Sequence, residues 1–431
     1  MKSRDEIKSL LDKALGKVRA PHAQAEYYFR QNMATRFGEN AITQNMGGAE
    51  EYVRLTLAYN KTHGSSVTNK LDSDSIDTLV KRAEEIAKSS PADPEYMPPI
   101  QSQTFPAVPQ RYFSDVAQLT PAAIAEEIST AVKMAKAENY KASGLFEASR
   151  SAKAIANSEK LFAFDRFSNL NYSATMHGPL GSGFSGQNTE SVSRINAESL
   201  ARRALKTAKN AQNPQPVEPG EYTVIFEPQA VADLLGFMTW NMSARDADEG
   251  TTVFAGKVGQ RLFNERVSIE TKIDDPELPA PPFGPDGLSA RRTVWVHAGV
   301  VERLRHDRYW ASQKKTDPDP LLYPLLMDGQ EQSFADLIAR CKKGLLVKRL
   351  WYIRCVDRKE LLLTGMTRDG LFLIENGRII HPVRNLRFNE SPVVFLQNVI
   401  AMSRPERVED WAKVPGVMSG SFTFSSKTES V

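Results

Sequence analysis

Cysteine is nearly absent: the 431-residue chain has 2, Cys341 and Cys355. That excludes a disulfide framework, and with no export signal it points to a reducing cytoplasm. Histidine is sparse as well, at 6, and no two fall at metal-ligand spacing on one helical pattern. An excess of one charge is lacking: 55 basic residues face 52 acidic ones, a net of +3. So weak a balance, with no Lys/Arg run, argues against a nucleic-acid surface. No apolar stretch approaches the roughly 20 residues that span a bilayer, so no membrane segment is expected. The opening MKSRDEIKSLLDKALGKVR is unlike a signal peptide, because charges interrupt its apolar residues. Ile7, Leu10, Leu11, Ala14, Leu15 and Val18 instead follow an amphipathic helix.

What is present is alternation and punctuation. The length calls for two domains, and the proline- and asparagine-rich NAQNPQPVEPG, residues 210–220, is the best linker. The expected architecture is α+β. An N-terminal domain over 1–212 has strands with flanking helices, and a β-rich C-terminal domain covers 213–431. Ala25–Phe37, Glu51–Tyr59 and Ser65–Asn69 read as strands. Helices are predicted over Asp74–Lys88 (capped by Ser73 or Asp74), after the Thr120-Pro121 cap, and over Ala197–Lys209 behind Asn196. Leu145–Thr175 reads as a meander turning at Asn157–Lys160. Gly181–Gly186 satisfies Gly-x-Gly-x-x-Gly, but polar residues separate it from the next helix. It reads as a loop, not a dinucleotide site. In the second half, Pro285-Asp286-Gly287, Arg368-Asp369-Gly370 and Asn376-Gly377 are turn signals, the last a hairpin of type I′.

The most informative stretch is Pro219–Ser243. Tyr222, Val224 and Phe226 alternate along a strand. Pro228 opens a helix, and Val231, Leu234, Leu235 and Met238 form its apolar stripe. Further blocks are PFGPDGLSARRTVWVHAGVVERLRHDRYWA, GLFLIENGRIIHPV and, in the first half, VRLTLAYNKTHGSSVTNKLDSDSIDTLVKRAEEIAKSSPADPEY. In order and spacing these resemble the TldD/PmbA family, proteins once described as modulators of DNA gyrase. The match is not complete: Gly284 and Asp286 replace an Asp and a Glu of the family's Pro-Phe-Asp-x-Glu-Gly segment. In the family's catalytic branch the helix after this strand carries a His-Glu-x-x-x-His zinc motif. On that frame the first His falls on Gly236, the Glu on Phe237 and the second His on Asn241. A C-terminal Cys ligand falls on Met418. Glycine, phenylalanine, an amide and a thioether supply neither zinc ligands nor a base beside bound water.

The resemblance therefore implies a member of the TldE/PmbA-type branch without the motif: a pseudoenzyme with no metal or catalytic residue of its own. Its expected partner is a TldD-like catalytic subunit that holds the zinc, in a heterodimer or higher assembly, or a second copy of itself. Its substrate would be a peptide. Two alternatives stand beside it: an active hydrolase with an unconventional metal site, and a homo-oligomeric peptide-binding or scaffold protein. The acidic clusters Asp246, Asp248, Glu249 and Asp274-Asp275 read as solvated loop charges. Cys341 reads as core and Cys355 as a strand residue, neither as a nucleophile.

Overall fold

The computed structural model describes residues 1–428, and its helices and strands form an α+β two-domain fold. In the N-terminal half, helix α1 (Arg4–Leu15) precedes a long hairpin, β1 (His22–Gly38) and β2 (Ala41–Tyr59). Strand β3 (Thr62–Thr68), α2 (Ser73–Ser89) and α3 (Pro121–Ala137) follow. Then come β4 (Lys141–Asn157), β5 (Phe162–His177), β6 (Ser182–Thr189) and α4 (Ala197–Asn210). The strands make one antiparallel sheet in the order β3-β2-β1-β4-β5-β6.

All four helices cover one face of that sheet. Along β4 the even-numbered residues point to them. Ala152, Ala154 and Ala156 join Ile7, Leu11, Leu79 and Ala83 of α1 and α2. Ala142, Phe146 and Ala148 join Ile124, Ile128, Ala201 and Ala204 of α3 and α4. Small strand residues let the helices approach closely. Side-chain caps fix where helices start: Asp72 on α2, Thr120 on α3 and Asn196 on α4. The α2 cap is thus one residue earlier than expected.

The C-terminal half begins with β7 (Gly220–Phe226), α5 (Pro228–Thr239), α6 (Ala244–Asp248), β8 (Ile269–Thr271), β9 (Thr293–His297) and β10 (Val300–Val301). It continues with α7 (Arg308–Lys314), β11 (Leu325–Met327), α8 (Phe334–Arg340), β12 (Lys343–Asp357), β13 (Leu362–Glu375) and β14 (Arg378–Pro382). It ends with β15 (Leu386–Glu390), α9 (Pro392–Gln397), β16 (Val399–Arg407) and β17 (Ala412–Lys427). The sheet runs β10-β9-β8-β11-β17-β15-β13-β12-β7, with β14 on β13 and β16 on β17. A further pairing of β17 with β7 closes β7, β12, β13, β15 and β17 into a ring. Phe226, Phe388, Phe395, Phe422 and Phe424 pack together in its core.

A proline-rich strap, residues 90–113, ties the halves together. Arg245 donates two hydrogen bonds to the Glu95 carboxylate, and Arg308 reaches the Pro98 carbonyl. Asn157 donates to the Ile100 carbonyl, and Ser289 bonds to Gln103 and Thr104. The Phe105 and Phe283 rings lie 5.7 Å apart.

Several local expectations change. The first hairpin is longer than its hydrophobic alternation, because Ala41–Glu50 is paired with β1 yet has no buried side chain. Gly181–Gly186 is not a loop: residues from Ser182 onward form β6, paired with β5. A Cβ at Gly183 would sit 2.3 Å from the Ala204 carbonyl oxygen, so glycine is there to let α4 rest on the strand. Arg368-Asp369-Gly370 is not a turn but an irregularity inside β13. Asp369 has φ 55°, and its buried carboxylate accepts from Ser182 and Arg349. Asp246 and Asp248 lie on α6, paired with Arg358 and Lys314. Asp275 is buried against Lys413, so a cation, not water, offsets its charge. Asn376-Gly377 does form the hairpin between β13 and β14, both residues at positive φ. Among the described residues no helix is long and apolar enough to cross a membrane.

Candidate functional site

Helix α5 joins the stripe and the motif positions. Pro228 stands in its first turn. Val231, Leu234, Leu235 and Met238 are buried in the main core with Val224 and Phe226 of β7, Val347 of β12 and Val417 of β17. The opposite face, at helical spacing, carries Gln229, Asp233, Gly236, Phe237 and Trp240.

At the first turn of this face lies a half-buried polar chain. The Gln229 amide donates to Asp233 (3.1 Å) and to Glu409 (3.0 Å), and the Leu350 backbone N–H donates to the other Asp233 oxygen (3.0 Å). Burial pushes the Asp233 carboxyl up to about 6 and also raises Glu409. Farther along, the Trp411 ring lies beside Gly236: a Cβ there would stand 3.6 Å from it, in ordinary contact. Trp411 packs edge-on against Tyr323, whose hydroxyl shares a 2.7 Å hydrogen bond with Thr239. Phe237 packs on Trp240 at 4.9 Å. Asn241 is buried and fully engaged: its amide donates to the Phe237 carbonyl (2.9 Å), and its oxygen accepts from Arg358 (3.1 Å).

Met418 does not join this group. On β17 its neighbour Val417 faces α5, whereas Met418 packs with Ile225, Leu337, Cys341 and Phe372 under α8. Alternation along the strand puts it on the other side of the sheet, so the structure does not bring it together with Gly236, Phe237 and Asn241. Cys341 is buried there and Cys355 is exposed. The histidines stay apart, though His22 and His63 flank the Tyr96 ring at 6.0 and 5.9 Å.

The family's zinc does not fit these residues. Gly236, Phe237 and Asn241 offer no metal donor set, and among the described residues no group of three or more His, Cys, Asp or Glu side chains is placed to hold a metal ion.

Next to the N-terminal end of α5 a cleft of about 410 Å³ separates the two domains. Phe184, Arg203, Lys348, Arg349 and Arg407 are in its lining. The Arg349 guanidinium lies 3.9 Å from the Phe184 ring centre, and Arg407 pairs with Glu190 at 2.8 Å across the junction. Sequence reading missed Asp233, Glu409 and Trp411. Asp233 stands four residues after Gln229 on the polar face of a recognised helix, which is a weak signal. The other two come from a distant loop, and nothing local marks them.

The matches to known proteins fall on this same frame. Residues 219–426 match the sequence model of the PmbA/TldA metallopeptidase C-terminal domain. A protein of Archaeoglobus fulgidus named metalloprotease is 26% identical over 168 residues, 35% of this chain and 38% of that one. A metalloprotease-named protein of Methanothermobacter thermautotrophicus is 24% identical over 234 residues, 49% of each chain. The chain thus spans less than half the length of these curated relatives. TldE of Thermococcus kodakarensis superposes with a TM-score of 0.88 at 17% identity, covering 97% of this chain and 99% of that one. A Thermotoga maritima protein described as a DNA gyrase modulator gives 0.88 at 15% identity, over 97% and 100%. The domain match and the related sequences place residues 219–426 of this chain in the TldD/PmbA family, and the near-complete superposition gives the whole chain the fold of those solved structures.

Proposed function

We propose that this chain is a non-catalytic, TldE-type subunit of a TldD/TldE-type metallopeptidase system that degrades or matures small peptides. One observation carries the reading. The positions that hold zinc ligands and base in the catalytic branch are Gly236 and Phe237 on α5 and Asn241 just past its end, and none of these three residues can bind zinc or act as a base. The Trp411 ring lies in contact with the Gly236 position, and Asn241 is already hydrogen-bonded to Phe237 and Arg358. In this reading a TldD-like subunit supplies the zinc and the cutting site. The present chain completes the chamber and holds the peptide.

The test is co-expression with a relative carrying His-Glu-x-x-x-His. Metal analysis and peptide cleavage are then measured on each chain alone and on the pair. The expected result is a stable pair, zinc only in the relative, and cleavage that depends on it. Stoichiometric zinc in this chain alone would overturn the reading.

A second reading, a hydrolase with an unconventional site, draws on Asp233. A carboxyl raised to about 6, linked through Gln229 to a second raised carboxyl at Glu409, resembles an acid–base arrangement. Peptide cleavage by the purified chain that disappears in Asp233→Asn would favour it.

A further inference from the structure

We propose that the cleft between the two domains, beside the first turn of α5, binds a small zwitterion: a free α-amino acid or short peptide whose carboxylate meets Arg203 and whose ammonium meets Glu406. The ligand class comes from the charges of the cleft alone, and the metallopeptidase reading plays no part in it. The cavity of about 410 Å³ lies within the range of about 300–1,000 Å³ usual for small-molecule sites, and domain interfaces are where such sites concentrate.

Most charges in this cleft are cancelled within the protein. Lys348 pairs with Glu227, Arg349 with Asp369 at 3.2 Å, and Arg407 with Glu190 at 2.8 Å. Two lining residues are left over. Arg203, on α4 of the N-terminal domain, has no carboxylate partner among the described residues; its Nε donates to the Ser185 hydroxyl at 2.9 Å. That bond orients the guanidinium and leaves both terminal nitrogens without an acceptor among the described residues. Glu406, on β16 of the C-terminal domain, pairs with no cation among the described residues. Nor do the two pair with each other, although both line the same cavity.

An unpaired cation from one domain and an unpaired anion from the other select a ligand that carries both charges. A guanidinium with two free NH2 groups matches a carboxylate in bidentate fashion, and a carboxylate accepts from an ammonium. An anion such as phosphate would satisfy Arg203 but meet Glu406 with like charge, and a simple amine would do the reverse. Leu200, Phe334 and Val408 give the cavity an apolar wall for a side chain. The bound ligand thereby links the two domains.

The test is isothermal titration calorimetry of the purified full chain with leucine and with leucyl-leucine, then with the N-acetyl and C-amide forms of each, which lack one charge. At least one free zwitterion is expected to bind with a Kd of about 1 mM or tighter, and the tighter of the two tells amino acid from peptide. Acetylation and amidation should each weaken binding about tenfold or more, through loss of a charge-assisted hydrogen bond. Arg203→Gln and Glu406→Gln should each weaken the free ligand by a similar factor. Arg202→Gln, on the same helix but outside the cleft and paired with Glu198, should leave it unchanged. All three side chains are exposed, so the variants should keep the native circular dichroism spectrum. The proposal fails if neither free ligand binds, if the blocked forms bind as tightly as the free ones, or if either cleft variant keeps the native affinity. The comparison of free with blocked ligands uses the native chain alone, so it holds even where a variant misfolds.

Discussion

Phe237 and Asn241 are not vacant remnants: Phe237 packs on Trp240, and Asn241 is hydrogen-bonded to Phe237 and Arg358. Restoring the family's motif should therefore not restore a metal site. The triple variant Gly236→His, Phe237→Glu, Asn241→His is expected to bind no stoichiometric zinc by metal analysis, because position 241 lies past the end of α5 and Met418 lies across the sheet. Asn241→Ala alone should cost about 1–3 kcal/mol in urea unfolding, since it strips partners from the Phe237 carbonyl and the Arg358 guanidinium. Asp233 gives a pH prediction. Its folded carboxyl is raised by burial from 3.8 to about 6, so the folded state holds its proton more tightly than the unfolded chain. Stability from this group is greatest below about pH 4 and falls as pH rises to about 6. At about 1.4 kcal/mol per pKa step the loss is on the order of 3 kcal/mol. Asp233→Asn should flatten the stability–pH profile in that window. An unchanged slope would reassign it to other carboxyls. The loss of the zinc motif was readable from residue types alone. The Trp411 contact was not, because it comes from a loop far along the chain.

At the scale of elements, the strand–helix unit β7–α5 was legible from its alternation, Pro228 and its helical stripe, and so was the Asn376-Gly377 hairpin. Elements whose pattern reflects a neighbour were not. β6 looked like a glycine loop because its glycines answer to α4, which rests on them. Gly183→Val should test this: its Cβ has no room beside the Ala204 carbonyl. The variant is expected to lose about 3 kcal/mol in urea unfolding; a small change would mean that α4 can move away freely. The outer part of β2 was missed for the opposite reason. It packs on nothing, so it carries no alternating apolar face, and pairing with β1 is what makes it a strand.

For the whole molecule, the connection between domains rests on the strap as well as on the linker. Phe105→Ala removes the ring that packs on Phe283, Ile155 and Leu161. It should cost about 1–3 kcal/mol, and limited proteolysis within residues 90–113 should become faster while the hydrogen-bonded sheets stay resistant. Unchanged proteolysis would show that the polar contacts hold the strap without the ring.

The sequence by itself determined which segments are amphipathic, where prolines and glycines end them, that the chain has the family's frame, and that the zinc-binding side chains are missing. Those properties reside in residue type and short-range spacing. Only the tertiary structure decided that Met418 and Gly236 lie on opposite sides of a sheet, that Trp411 comes to lie beside Gly236, and that one edge of β2 is left open. Each of these depends on contacts between segments far apart in the chain, where register and packing, not local pattern, set the geometry.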